Sequence, residues 1–168
     1  MLSEEILSLG KAETQPLVRT DSALNVELLC RELIADFQGA HPSTHRFCVE
    51  VIGVVRDLRL DRKFVHQVVT NLLSNAVKYS PSGGDVSLAL QFEKNEFSIQ
   101  VRDQGVGIPE ADLEHLFDLF HRGQNADIAP GAGLGMVIVK HAVEAHGGTI
   151  QVNSKVGSGT AFTISLPC

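Results

Sequence analysis

The sequence lacks the features that would place it in a membrane or outside the cell. No apolar run approaches the roughly 18 residues that a membrane-spanning helix needs. The first residues, MLSEEILSLGK, are acidic, whereas a secretory signal peptide starts with basic residues. We therefore expect a soluble, cytoplasmic chain that makes no membrane contact of its own.

Cysteine and basic residues are also scarce. The three cysteines, Cys30, Cys48 and Cys168, are far apart and lack CxxC spacing, which argues against a disulfide framework and against a thiolate metal site. Lysine and arginine total 14 against 20 acidic residues, and the net charge of -6 repels nucleic-acid phosphates unless basic residues cluster. No such cluster is evident, so we expect no nucleic-acid partner.

The two common nucleotide-binding fingerprints are missing too. There is no GxxxxGK[ST] phosphate loop and no GxGxxG after a predicted strand. The seven histidines show no metal-ligand spacing, so we expect them at the surface or satisfied by hydrogen bonds. A nucleotide or metal site in this chain must therefore be built from residues that are distributed along it.

The sequence does contain enough apolar residues for one domain. With 168 residues, of which 43% are apolar, it can bury a single core. Asn25 and Asp61 are candidate helix caps. Apolar spacing of three to four predicts helices at 26–37, 62–80, 109–120 and 134–146. Alternation predicts strands, mostly in hairpins, at 16–20, 46–53, 56–60, 85–93, 96–103 and 149–167. We expect an α+β fold with three main helices on one face of a mixed, largely antiparallel sheet.

One predicted helix carries polar residues on a shared face. Asn71, Asn75 and Lys78 are four and three residues apart, and Tyr79 follows. Asparagine is a modest helix former, so this pair costs some stability without obvious packing in return. Amide oxygens suit Mg²⁺, and a nearby lysine could neutralise phosphates. A solvated helix face explains the same residues equally well.

Two glycine-rich turns are the other candidates. In DQGVGIP, Asp103 ends a strand and could accept a hydrogen bond from an exocyclic amine such as that of adenine, with Gly105 and Gly107 letting the backbone approach the base. When this motif is considered alone, an ordinary strand-ending turn with a solvated aspartate explains it better.

GAGLG, at 131–135, precedes a predicted helix. The N–H groups at the start of that helix would favour a polyphosphate. The alternative is that these glycines only form a flexible entry to the helix. The long polar stretch at 121–130 is typical of a lid.

Five motifs, in the order in which they occur along the chain, resemble those of one family. NLLSNAVKYS, DQGVGIP, LFDLFHR, GAGLGMVIVK and GSGTAFTISLP are similar to the N box, first glycine box, F box, second glycine box and third glycine box of the ATP-binding catalytic domain of sensor histidine kinases. This domain belongs to the ATPase superfamily of gyrase, Hsp90 and MutL, and its architecture is called the Bergerat fold. The resemblance covers about residues 20–167.

The resemblance implies a role for each matching residue at the base. Asp103 would fix the adenine amine, and Tyr79 would flank the nucleotide. The remaining base-pocket residues implied are Gly105, Gly107, Ile108 and Thr160.

At the phosphates, the resemblance implies that Asn71 and Asn75 hold Mg²⁺ and phosphate. Lys78 would contact the phosphates, and Arg122 would contact the terminal one from a lid at about 121–131. Asn71, Lys78 and Arg122 would thus serve the transfer step. The second glycine box would contribute Gly131, Gly133, Leu134 and Gly135.

Some positions depart from the family or have two explanations. Ala132 replaces a threonine that is common in the second glycine box, and Gln104 replaces an asparagine. Phe117 and Phe120 are either exposed aromatics that dock the partner hairpin or core residues. Asn71 stands where gyrase-like relatives have a water-activating glutamate, which favours transfer to a protein side chain over hydrolysis.

The implied activity is transfer of the terminal phosphate of ATP, with Mg²⁺, to a histidine on a separate dimerisation and phosphoacceptor hairpin, and from there to a response regulator. Residues 1–15 are expected to be the end of that hairpin and a linker, and residues 16–168 the ATP-binding domain, which is a monomer by itself. Two alternatives remain open: a nucleotide-dependent interaction module without kinase activity, and a serine-phosphorylating relative of the same fold.

Overall fold

A computed structural model describes residues 22–41, 43–118 and 134–168 of the protein. The described elements, in chain order, are β1 (Ser22–Leu24), α1 (Val26–Ala40), β2 (His45–Gly53), β3 (Leu58–Leu60), α2 (Arg62–Lys78), β4 (Gly84–Phe92), β5 (Glu96–Arg102), α3 (Glu110–Leu113), α4 (Gly135–Ala145), β6 (Thr149–Lys155) and β7 (Gly159–Pro167). None of the helices in these ranges is long and apolar enough to cross a membrane.

Five strands form the main sheet in the order β2-β4-β5-β7-β6. The β4–β5, β5–β7 and β6–β7 pairs are antiparallel, whereas β2 runs parallel to β4. Strands β1 and β3 pair separately as a two-stranded antiparallel sheet. The predicted α+β fold, with a mixed and largely antiparallel sheet, is therefore confirmed.

One face of the main sheet is buried under the helices. Along β4, Val86, Leu88 and Leu90 are buried, while the residues between them are half-buried on the other face. Helix α2 lies against this layer through Val68 and Leu72. Because strand side chains alternate, a shift of one residue in register would move the whole apolar set out of the core.

Both predicted helix caps are present. The side chain of Asn25 accepts a hydrogen bond from the N–H of Leu28 at 2.9 Å, and that of Asp61 accepts one from Lys63 at 2.7 Å. Each cap satisfies a backbone N–H that has no partner within the helix. The cap at Asp61 sets the start of α2, and hence which residues of that helix face the sheet.

Some predicted boundaries were wrong. The helix predicted over 109–120 ends at Leu113, and turns follow as far as the structure describes, to Asp118. This four-residue helix buries none of its residues, so little packing energy favours extending it. The strand predicted over 56–60 is shortened to Leu58–Leu60. The predicted strand over 16–20 lies outside the described residues.

Candidate functional site

Asp103 lies immediately after β5 and is buried, with 5% of its surface exposed. Its Oδ1 accepts hydrogen bonds from the backbone N–H groups of Gly105, at 2.8 Å, and Thr160, at 3.2 Å. Its own N–H donates to the carbonyl oxygen of Thr160 at 2.9 Å. No described residue donates to Oδ2, so the carboxylate is fixed through one oxygen and keeps the other as an acceptor.

Burial raises the pKa of Asp103 above its ordinary value, although the hydrogen bonds from Gly105 and Thr160 act in the opposite direction. The carboxylate has lost water and recovered only part of that loss from the protein. An additional donor at Oδ2 would supply what is missing. A solvated strand-end aspartate, the alternative explanation of this motif, does not describe Asp103.

The glycines of DQGVGIP allow the turn to be enclosed by its neighbours. A Cβ on Gly105 would clash with the carbonyl oxygen of Tyr79, and a Cβ on Gly107 would clash with that of Lys155. Gly107 also has a φ of 73°, in the left-handed region that favours glycine. These glycines are therefore required by close backbone packing within the protein, whatever the turn binds.

The hairpin of β6 and β7 holds this turn from one side. The N–H of Gly157 donates to the carbonyl oxygen of Val106 at 2.8 Å. The N–H of Ile108 donates to the hydroxyl of Ser154, also at 2.8 Å. Ser154 was not among the predicted site residues, although its place after Ile150 and Val152 in an alternating strand puts it on the inward face.

The end of α2 holds the turn from the other side. The N–H of Val106 donates to the carbonyl oxygen of Tyr79 at 2.9 Å. The next residue, Ser80, is buried, and its carbonyl oxygen lies 3.0 Å from Nε2 of His45. His45 at the start of β2 therefore anchors the end of α2. The spacing of residues in the sequence did not indicate this contact.

Helix α2 carries the predicted amide residues Asn71 and Asn75. Nδ2 of Asn71 donates to the carbonyl oxygen of Gln67 at 2.8 Å, and no described residue donates to its Oδ1. That oxygen would be 3.0 Å from a Cβ placed on Gly135, at the start of α4. The Asn75 side chain is half-buried and Lys78 is exposed, and neither side chain is hydrogen-bonded to another described residue.

Helix α4 starts at this face without a side-chain cap. Its N-cap position is Leu134, which is 1% exposed and cannot accept a hydrogen bond from the first turn. The predicted phosphate-site residues Gly131, Gly133 and Arg122 lie outside the described residues, as does the predicted lid.

The predicted site residues that the structure describes fall into two groups of contacts. Asp103 is bonded to Thr160, the turn after it is bonded to Tyr79, and Asn71 lies beside Gly135. The first group joins the turn after β5 to the β6–β7 hairpin and to the end of α2, whereas Asn71 lies about two turns before that end, beside the start of α4.

Phe117 and Gln104, which the sequence also singled out, have structural explanations, whereas Ala132 lies outside the described residues. Phe117 is half-buried against the core, and Nζ of Lys140 lies 5.4 Å from the centre of its ring, so the core explanation describes it. Phe120 lies outside the described residues. Gln104 uses its side-chain oxygen to accept the N–H of Asp85 at 3.1 Å, which ties the turn to the start of β4.

A shallow depression of about 520 Å³ lies over β5, β6 and β7. It is lined by Gln100, Arg102, Gln151 and Thr163, among others, and excludes Asp103 and the amides of α2. Its lining also includes Ser154, Gly159 and Thr160, so it borders the surroundings of Asp103.

The chain also matches a known protein family. Residues 60–168 match the family described as histidine kinase-, DNA gyrase B- and HSP90-like ATPases. The match covers more than half of the sequence, so the chain belongs to this family.

Individual relatives are sensor histidine kinases. The chain is 43% identical to the sensor histidine kinase WalK of Bacillus subtilis over 118 residues, which are 67% of this chain and 19% of WalK. Full-length ShkA in complex with AMPPNP is a structural neighbour with a TM-score of 0.86 and 25% identity, over 99% of this chain and 35% of ShkA. The mycobacterial sensor histidine kinase MprB has a TM-score of 0.75 and 30% identity, over 88% of this chain and 97% of that one.

The predicted resemblance to the catalytic domain of sensor histidine kinases is confirmed by these matches. The chain spans between 19% and 24% of the length of WalK and the two curated relatives that follow it in similarity. The matched part is therefore a small portion of those proteins.

Proposed function

We propose that this chain is the ATP- and Mg²⁺-binding catalytic domain of a sensor histidine kinase. It would transfer the terminal phosphate of ATP to a histidine on a separate helical hairpin, for onward transfer to a response regulator. The observation that carries the proposal is Asp103, a buried carboxylate that is fixed through Oδ1, receives no hydrogen bond at Oδ2 from any described residue, and lies in a turn bonded to the end of α2. Membership of the ATPase family supports it.

At the base, Oδ2 of Asp103 would accept a hydrogen bond from the 6-amino group of adenine. Such a bond to a buried carboxylate is stronger than one between neutral groups, because little water competes for it. It would also offset the burial that raises the pKa of Asp103. Tyr79, Gly105, Gly107 and Ile108 would complete the walls of this pocket.

At the phosphates, the donor set suits Mg²⁺. The amide nitrogen of Asn71 is bonded to Gln67, and no described residue donates to the amide oxygens of Asn71 and Asn75. Mg²⁺ prefers few protein oxygens together with water and phosphate oxygens. A bound Mg²⁺ would neutralise charge on the phosphates, and Lys78 would add a second positive charge.

The phosphate chain itself would lie at the start of α4. The uncapped N–H groups after Leu134 and Gly135 offer donors where the helix dipole favours an anion. We extend the same role to Gly131 and Gly133, and we place Arg122 at the terminal phosphate.

Transfer would depend on positioning and charge neutralisation more than on proton chemistry. The side chain at position 71 is an amide, which cannot take a proton from water as a carboxylate can. This favours a protein side chain over water as the phosphate acceptor.

Phosphotransfer in trans tests the proposal. The chain is mixed with a histidine-bearing hairpin from a sensor histidine kinase and with ATP labelled at the terminal phosphate. We expect the hairpin to be labelled, and the label to be lost in acid, because phosphohistidine is acid-labile. An acid-stable label would indicate a serine acceptor instead. ATP binding without any labelling would indicate a nucleotide-dependent interaction module.

A further inference from the structure

Ser154 occupies a position on β6 where an apolar side chain is expected. Along this strand Ile150, Val152 and Ser154 are half-buried, and their neighbours are exposed. Ile150 and Val152 pack against the core. Hydrogen bonds stabilise a half-buried hydroxyl group at the third inward position, because partial burial limits its contact with water.

The Ser154 hydroxyl uses its full hydrogen-bonding capacity within the protein. It accepts from the N–H of Ile108 at 2.8 Å and donates to the carbonyl oxygen of Gly159 at 3.1 Å. Its third partner, at 2.8 Å, is the hydroxyl of Thr160. A hydroxyl has one hydrogen and two lone pairs, and either hydroxyl can be the donor between Ser154 and Thr160. The arrangement that forms all three bonds is the one in which Ser154 donates to Gly159 and Thr160 donates to Ser154.

This arrangement determines what Thr160 can offer to a ligand. Its hydroxyl hydrogen is engaged with Ser154, so its oxygen can act only as an acceptor. The backbone of Thr160 is bonded to Asp103 through both its N–H and its carbonyl oxygen. Two adjoining residues therefore present acceptors and no free side-chain donor.

We propose that Ser154 is a positioning residue that makes the base site select adenine over guanine. The proposal rests on nucleotide binding at Asp103, as proposed above. The 6-amino group of adenine is a donor and matches these acceptors, whereas the 6-oxo group of guanine is itself an acceptor. Without Ser154, the Thr160 hydroxyl can rotate and donate to that oxygen, and the N–H of Ile108 loses its partner.

Calorimetric titration with Mg-ATP and Mg-GTP tests this role in three variants. Ser154→Ala should weaken ATP binding about tenfold, the typical cost of one lost hydrogen bond. It should leave GTP binding equal or tighter, so the preference for ATP falls by about the same factor or more. Ser154→Thr keeps the hydroxyl and should restore the ATP affinity and the preference for ATP.

The matched control is Ser158→Ala in the same hairpin, because Ser158 is exposed and its side chain is bonded to no described residue. The affinities of this variant for ATP and for GTP should both be unchanged.

Each other outcome overturns the inference. An equal loss of ATP and GTP affinity in Ser154→Ala would mean that Ser154 only supports the fold, and unchanged affinities would mean that it does not act on the base at all. If the alanine variant does not fold, Ser154→Cys keeps the side-chain size with a much weaker donor and should show the same loss of preference. If the wild-type chain binds ATP and the variants keep the same preference for ATP over GTP, only the role of Ser154 is refuted, and the proposed function stands. A wild-type chain that binds neither nucleotide refutes the proposed function as well.

Discussion

The two ends of the proposed site are built differently. At the base end, Asp103, Ile108 and Thr160 are all held by hydrogen bonds of 2.8 to 3.2 Å within the protein. At the phosphate end, Asn75 and Lys78 have no side-chain hydrogen bond to a described residue, and α4 begins without a side-chain cap. The base end is preorganised before any ligand arrives, whereas the phosphate end keeps its donors and acceptors for the ligand.

This difference has an energetic reason. A base is a flat, neutral group that is recognised by a few directional hydrogen bonds, so a rigid pocket loses little entropy on binding it. A triphosphate with Mg²⁺ brings several charges and its own water, and exposed groups can adjust to it. We therefore expect substitutions at the base end to affect stability and binding together, and those at the phosphate end to affect binding alone.

The largest effect on binding is expected from Asp103→Asn. The amide keeps an oxygen for the N–H groups of Gly105 and Thr160, but it places an NH₂ donor where Oδ2 was, opposite the adenine amine. Affinity for Mg-ATP should fall about 100-fold, since a hydrogen bond to a charged group contributes roughly 1.5 to 3 kcal/mol. Calorimetry measures this directly, and an unchanged affinity would exclude Asp103 from the base site.

The rigidity of the base end is tested by a pair of glycine substitutions. Gly107→Ala introduces both an unfavourable φ and a clash with the carbonyl oxygen of Lys155. Gly157→Ala, the control, introduces a similar φ of 75° with no atom within 4 Å of the new Cβ. The control should lose about 1 kcal/mol of unfolding free energy, as for a single left-handed residue.

Gly107→Ala should lose about 3 kcal/mol or more, because the backbone must also move. Urea denaturation of the two variants gives both values. Equal losses would mean that the turn is less tightly enclosed by the β6–β7 hairpin than the structure indicates.

At the phosphate end, Asn75→Ala should weaken binding without weakening the fold. We expect about a tenfold loss of ATP affinity in the presence of Mg²⁺ and a much smaller one in its absence, since the lost group is one oxygen ligand. Thermal unfolding should be unchanged or slightly improved, because alanine is the better helix former. The same loss with and without Mg²⁺ would contradict a role in holding the metal.

The smallest expected effect is a pH-dependent gain of stability in Asp103→Asn. Because burial raises the pKa of Asp103 in the folded state, the wild type loses stability as the pH rises through that folded pKa. The asparagine variant does not titrate there and should be the more stable protein at neutral pH. The advantage should vanish below the ordinary aspartate pKa of about 4. Thermal unfolding of both proteins from pH 3 to pH 8 would show whether the two curves converge at low pH.

Local rules predicted much of this structure, and long-range contacts account for what they missed. The caps at Asn25 and Asp61 and the alternation along β4 depend on neighbouring residues, so they can be recognised in one stretch of sequence. The parallel pairing of β2 with β4 joins segments separated by a helix, and nothing in either segment specifies it.

The same distinction applies to the site. The motif around Asp103 could be recognised from sequence, and the helix period put Asn71, Asn75 and Lys78 on one face. The partners that hold the motif could not be recognised, because the contacts of His45 with Ser80 and of Ser154 with Ile108 cross 35 and 46 residues.

The most direct measurement is a crystal structure of this chain with Mg²⁺ and a non-hydrolysable ATP analogue. The account predicts that the 6-amino nitrogen of adenine lies within about 3 Å of Oδ2 of Asp103, with the phosphates between Asn75 and the start of α4. Adenine bound elsewhere, with Oδ2 of Asp103 still unpaired, would contradict it.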